Sequence, residues 1–325
     1  MGGDHAPGEI VSGAVEAASS GGLQILLVGD AERVNAELVR HDADALPITI
    51  VPAEGVIEEG EQPARALRLK PRASVVISTG LVQKGLADAA VSLGSTGAAM
   101  AAAAVMLGTF EGIDRPAIGG PIMGVAPRTM VIDVGSNVDC RPSLLLSMGV
   151  IGDVFARTTW GIENPRVALL SVGGEVGKGN RQVREATELF EKSGLNFIGN
   201  VEANNIPEGK AEVVVADGFV GNVVMKLTEG LGAVLADRVR HRLKGKLAES
   251  EIEDLARDLF EVNNVAETFG GGPLLGVRGV IVLGHGRARA DSVRRAIETA
   301  AQTVEAGFIP RLSDELDKAR KQVGE

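Results

Sequence analysis

Five stretches decide the fold: Ala89–Met100 (AAVSLGSTGAAM), Met130–Pro142 (MVIDVGSNVDCRP), Ala168–Val183 (ALLSVGGEVGKGNRQV), Val213–Lys226 (VVVADGFVGNVVMK) and Val280–Ser292 (VIVLGHGRARADS). Each is a short apolar run, then a Gly-rich polar turn, then the start of an amphipathic stretch. Apolar runs of this kind read as buried parallel strands. A turn rich in Gly, Ser, Thr and Asn that opens a helix presents backbone N–H groups to an anion. Repeating the junction gathers donors at the carboxyl edge of a sheet, where open α/β sheets bind ligands. An anionic, phosphate-bearing substrate is the expectation.

Between these stretches, helical patterns and apolar runs alternate from end to end, as in a three-layer α/β/α architecture with a mostly parallel sheet. Helices are expected at 8–20, 74–85, 95–107, 144–158, 182–192, 222–243 and 290–306. Further strands are expected at 24–28, 48–51 and 197–201. The pattern over 223–243 is followed almost directly by a second one at 251–261, which reads as a helical hairpin protruding over 231–263. Residues 1–325 are expected to form one α/β unit, or two subdomains around a cleft.

Composition narrows the class. The chain has 325 residues, 45% of them hydrophobic, so a large core is affordable in length and content. Aromatics make up 3%, with no Tyr, which argues against stacking platforms for single-stranded nucleic acid. A net charge of −10 disfavours a general nucleic-acid binder. The single cysteine, Cys140, excludes an internal disulfide and, with no signal-peptide pattern, suggests the cytoplasm. The longest apolar run, Ala98–Leu107, is ten residues, too short to span a bilayer. No Cys/His cluster has zinc spacing, and neither metal nor cofactor is expected.

The turns supply the candidate residues. Gly94-Ser95-Thr96-Gly97 is suited to holding phosphate, with helix N-capping as the simpler role. Lys178 lies among Gly173, Gly174, Gly177 and Gly179 with Asn180 beside it, so its ammonium is open to a phosphate. The G-x-x-x-x-G-K-[ST] spacing of a nucleotide loop is absent there. Asp133, Asn137 and Asp139 share one strand end, where capping and orientation are favoured over a metal. Asp217 precedes Gly221 and Asn222 at another, and His285 stands between two glycines at the last. Gly2, Gly3, Asp4 and His5 form a sixth turn-to-helix junction with no strand ahead of it, so an upstream strand of about 5–10 residues is expected. Arg238, Arg240, Arg242, Lys244 and Lys246 form the densest basic run, faced by an acidic second arm, Glu249 to Asp258. That run is suited to an acidic partner or anionic lipid.

MGGDHAP at the start, STGLV at 78–82, GSTGA at 94–98, GIDRPA at 112–117, DVGSNVDCRP at 133–142, GIENPRVALLSVG at 161–173, KGN at 178–180, NFIGNVE at 196–202, DGFVGNVVMK at 217–226, GGGPLLGV at 270–277 and GHG at 284–286 occur in this order. The collinear series resembles the bacterial phosphate acyltransferases that act on acyl carrier protein (the PlsX family). The resemblance implies a fold like that of phosphotransacetylases and isocitrate-type dehydrogenases, a homodimer with the hairpin at its tip, and the conversion of acyl-[acyl carrier protein] and inorganic phosphate to acyl-phosphate. It implies that acyl-phosphate passes to a glycerol-phosphate acyltransferase in phospholipid synthesis, and that the hairpin touches the inner face of the membrane. Lys178 and His285 match the family's lysine and glycine-flanked histidine. The chain departs from the family in lacking the strand before MGGDHAP, in Glu175-Val176-Gly177 before the lysine, and in its acidic second arm. A dehydrogenase using NAD on the same fold and a non-catalytic scaffold are the alternatives.

Overall fold

A computed structural model describes residues 1–265 and 270–324. The chain divides into two compact units: residues 1–116 with 270–309, and 117–265 with 310–324. In chain order the first unit contains α1 (Gly8–Ser19), β1 (Ile25–Gly29), α2 (Ala31–Arg40), β2 (Ile48–Pro52), α3 (Pro63–Leu69), α4 (Ser74–Gln83), β3 (Ala89–Ser92) and α5 (Thr96–Met106). The second contains β4 (Ala117–Pro121), β5 (Met130–Ile132), α6 (Pro142–Trp160), β6 (Val167–Leu170), α7 (Arg181–Lys192), β7 (Phe197–Val201), β8 (Val213–Val215), α8 (Gly218–Leu243) and α9 (Glu249–Asn263). The chain then returns to the first unit for β9 (Gly272–Leu275), β10 (Val280–Leu283) and α10 (Ala290–Glu305), and ends with α11 (Phe308–Val323).

In the second unit β5, β8, β6 and β7 lie side by side and parallel, and β4 joins β5 antiparallel. Alternation along the strands divides the layers. Val131, Ala168, Leu170 and Val214 face one side, where Val224 and Met225 of α8 cover them. Met130 and Val213 face the other, against α6, where a Cβ on Gly152 would lie 2.3 Å from Val213. Helices on both faces of a parallel sheet leave its carboxyl edge as the open edge for ligands.

In the first unit β3 and β10 are parallel, β9 joins β10 antiparallel, and β1 and β2 form a separate parallel pair. β4 and β9 were not expected. Their sequences, AIGGP and GPLL, carry Gly and Pro, which mark breaks rather than strands by local preference. Their place is set by neighbours, since β4 bonds β5 and β9 bonds β10. The start of the chain forms a turn and no strand. Its ammonium donates to the Val28 carbonyl at 3.3 Å, and burial, then Arg33, lowers its pKa. Among the described residues, β1 pairs only with β2, and β3 only with β10. Both strands border a cavity of about 460 Å³, with Ile10, Leu27, Val91 and Ile297 in its walls.

The hairpin is longer than 231–263. Its first arm, α8, begins at Gly218 on the sheet, and residues 244–248 turn it into α9. Asp217 caps α8 by accepting from Val220 N–H at 2.9 Å, which accounts for the four extra residues at its start.

Candidate active site

Three turns that are far apart in sequence meet in the first unit. A Cβ on Gly2 would fall 2.7 Å from Gly94 Cα, so only glycine permits this approach. Asp4 N–H donates to the Gly286 carbonyl at 2.7 Å, and Gly284 N–H donates to the Ser92 carbonyl at 3.0 Å. Gly3 and Leu93 are likewise in contact distance, a Cβ on Gly3 lying 3.3 Å from the Leu93 carbonyl oxygen. The GGDH, GSTG and GHG turns therefore form one cluster, with His5 and His285 half-buried in it. Within it, Ser95 Oγ caps α5 by accepting from Ala98 N–H at 3.3 Å. Thr96 N–H donates to Glu59 Oε1 at 3.1 Å. The helix start thus already engages a carboxylate, the charge type its dipole favours.

The second unit brings residues of two of its turns, 133–139 and 217–222, together around Asp133, which is 0% exposed. One carboxylate oxygen accepts from Gly135 and Ser136 N–H at 3.0 and 2.9 Å, and the other from Asn137 N–H and Nδ2 at 2.8 Å each. Asn137, a candidate for substrate binding by its place at a strand end, directs both of these donors to Asp133. Its carbonyl accepts from Gly218 N–H at 2.7 Å, which seats the start of α8 on this loop. A Cβ on Gly221 would lie 1.9 Å from the Asp133 carbonyl oxygen, so Gly221 is there for close packing. Asn222 is half-buried, its Oδ1 3.3 Å from the Cβ position of Gly135. The sequence favours capping and orientation for this loop's carboxylates, and Asp133 accepts from the loop's own N–H groups in that way.

The loop between β6 and α7 carries Lys178. Its main chain is fixed: Lys178 N–H donates to the Glu175 carbonyl at 3.2 Å, and Asn200 Nδ2 donates to the Lys178 carbonyl at 3.3 Å. The side chain is exposed and passes over Gly173, whose Cβ position is 3.2 Å from Lys178 Cγ. Asn180 caps α7, its Oδ1 accepting from Val183 N–H at 2.9 Å.

Cys140 is buried, and its thiol donates to the Asn137 carbonyl at 3.3 Å. Burial, then the Asp133 and Asp217 carboxylates, pushes its pKa up to about 12. The thiolate is the reactive form. Native protein is therefore expected to resist dithionitrobenzoate at pH 8 and to react fully on unfolding, a contrast read from the released thiolate's absorbance at about 412 nm. Rapid labelling of folded protein would contradict the burial.

Arg240, expected to meet a partner, is tied down. Its Nε lies 3.0 Å from Glu253 Oε1 of α9, and Nη1 lies 3.2 Å from Asp237. Arg238, Arg242, Lys244 and Lys246 are exposed.

Solved structures of similar fold include a phosphotransacetylase from Streptococcus pyogenes, with a TM-score of 0.60 at 20% identity over 90% of this chain and 91% of that one. Another is the EutD phosphotransacetylase of Staphylococcus aureus, with a TM-score of 0.59 at 17% identity over 91% and 90%. These likenesses place the chain among the α/β proteins of phosphotransacetylase fold. Residues 1–311 match the family described as "Fatty acid synthesis protein". The chain belongs to that family, and it is an enzyme. A relative named phosphate acyltransferase from Pelotomaculum thermopropionicum is 46% identical over 94% of this chain and 90% of its own length. One of the same name from Desulfitobacterium hafniense is 42% identical over 98% and 96%.

Proposed function

We propose that this enzyme is a phosphate acyltransferase that converts acyl-[acyl carrier protein] and inorganic phosphate to acyl-phosphate and the free carrier. The relatives' shared name supports the reaction class, and the exposed Lys178 on its anchored Gly-rich loop is the observation that carries the chemistry. Phosphate is already anionic at neutral pH, with a second pKa near ~6. A strong general base is thus unnecessary. The leaving thiol, with an ordinary pKa near ~8.5, needs little acid assistance. What remains is positioning and charge stabilisation. Lys178 offsets the repulsion between phosphate and the forming oxyanion. Asn222, in the same unit as Lys178, hydrogen-bonds the carbonyl oxygen or the thiol.

Acyl-phosphate trapped with hydroxylamine is the decisive assay, and no product above the background reaction would overturn the reading. Absorbance of the reduced nicotinamide at about 340 nm tests the dehydrogenase alternative. The activated product suits a glycerol-phosphate acyltransferase in phospholipid synthesis, at the cytoplasmic face of the membrane.

α8 supports a homodimer. Phe219, Val223, Leu227, Leu231 and Val234 are 50–65% exposed, and their spacing of three or four residues puts them on one helical face. Exposed apolar stripes of this kind mark interfaces. Leu231→Glu is expected to convert the dimer to monomer, read by light scattering; an unchanged mass would move the interface elsewhere.

The exposed cations beyond this stripe fit the acidic carrier protein or anionic lipid. Reversing Arg238, Arg242 and Lys244 to Glu is expected to raise KM for the carrier-bound substrate about threefold or more and to flatten its salt dependence. Turnover at saturation should change less. Flotation with anionic vesicles separates lipid from carrier, and no movement in either assay would leave the run as a solvated face.

A further inference from the structure

The loop that carries Lys178 also presents apolar side chains to solvent. Val176 is 98% exposed and Val172 84%, the two highest values among the large apolar residues described. Val172 stands, besides, at the mouth of a cavity. That cavity, of about 180 Å³, lies within the second unit at the carboxyl ends of β6 and β8, by the starts of α7 and α8. Leu145, Leu169 and Val183, all buried, form its floor, and the exposed Val172 and Val220 frame its opening. Gly179 and Asn180, the two residues that follow Lys178, line it as well, so the cavity adjoins the candidate reaction centre through the chain itself.

The walls define the occupant. No Lys or Arg lines the cavity, so it does not suit phosphate or another anion. Its one carboxylate, Asp217, accepts from Val220 N–H, and Asn180 Oδ1 accepts from Val183 N–H, so both side chains are engaged by helix starts. Ser171 Oγ and Gln182 Nε2 are buried out of an occupant's reach. Leucine and valine surface is what remains, and it favours an alkyl group over a polar one. A cavity of roughly 150 Å³ admits benzene, so this one has room for about six carbons.

We propose that this cavity seats the alkyl chain of the acyl group while the carbonyl stays beside Lys178, and that Val220 is the specificity-determining residue at its mouth. The assignment rests on the phosphate acyltransferase reading. Each methylene taken out of water onto the leucine and valine walls adds binding. The chain is remote from the reacting bond, so that binding is read as discrimination between acyl lengths.

Carrier-bound acyl groups of two, four, six and eight carbons test it, with hydroxylamine trapping as the readout. In the wild-type enzyme kcat/KM is expected to rise about fourfold per added methylene, the worth of one buried methylene, and to level off at about six carbons, when the cavity is full. Val220→Trp, which fills the mouth from an exposed position, should cut the hexanoyl-to-acetyl ratio about tenfold or more, with KM for phosphate and the thermal melt unchanged. Val172→Asp, at a position exposed enough to spare the fold, should cut it about threefold or more by setting a charge beside the alkyl path. A flat chain-length profile in the wild type, or a ratio that survives both variants, overturns the proposal while leaving the acyltransferase intact. If no thioester reacts, the acyltransferase reading fails separately, and calorimetric titration with 1-hexanol and ethanol decides the cavity. Hexanol binding that weakens about tenfold in Val220→Trp supports it, and absent or unaltered binding overturns it.

Discussion

Lys178→Ala is expected to lower acyl-phosphate formation by roughly 10²–10³-fold, the scale for removing one stabilising group from a transition state. The fold should survive. The loop is held by the main chain of Lys178, through Glu175 and Asn200, and alanine retains both bonds. Among the described residues the ammonium has no ion pair, so its removal strands no buried charge. Its role is to bring positive charge to two anions as they meet. The loss should therefore fall mainly on kcat, with KM for the acyl substrate changing little. Lys178→Arg should restore little, because a planar fork on a longer stem does not replace a compact point charge. Hydroxylamine trapping at saturating substrate measures both variants. Near-wild-type turnover by Lys178→Ala would remove the lysine from the mechanism.

Asp133→Ala should have the largest effect on stability, about 3–5 kcal/mol, because it leaves several buried N–H donors unpaired at about 1–3 kcal/mol each. Its carboxylate meets four N–H groups from three successive residues. The loop would open, and with it the seat of α8, since the Asn137 carbonyl holds Gly218 N–H. Gly221→Ala attacks the same contact from the other side, because its Cβ would lie 1.9 Å from the Asp133 carbonyl oxygen. Asp139, six residues along, is the internal control. It is exposed, and Asp139→Asn should stay within about 0.5 kcal/mol. Chemical denaturation followed by circular dichroism compares the three. A mild effect of Asp133→Ala, alongside an equal effect of Asp139→Asn, would contradict this account of the loop.

Much of this molecule was readable from local pattern. The apolar runs at 130–132, 167–170, 213–215 and 280–283 are strands because uninterrupted β-branched and aliphatic residues suit burial on both faces. The helices that follow them begin at Asp217, Asn180 and Ser95, residues whose side chains accept from the first turn. That chemistry is local, so a sequence reader can see it. At Asn137 and Ser95 local pattern leaves two readings open, because capping and a ligand role call for the same residue types.

Tertiary structure alone decided the rest. β4 and β9 are strands against their own Gly and Pro, because neighbouring strands offer hydrogen bonds that local preference cannot represent. The sequence leaves one unit or two open, because no linker of distinct composition marks a boundary; contacts between distant segments draw the division. Asp133 and Asp139 look alike in sequence, yet one is buried under four donors and the other faces solvent. Arg240 belongs to a dense basic run, but Glu253, thirteen residues away, has neutralised it. The convergence of Gly2 with Gly94 and of Asp4 with Gly286 joins residues up to 282 positions apart. The sequence by itself determined which residues can turn, cap and carry charge, since those properties belong to single side chains and their near neighbours. Which of them meet, and which are taken out of water, depends on contacts between distant segments, and only the folded chain decides those.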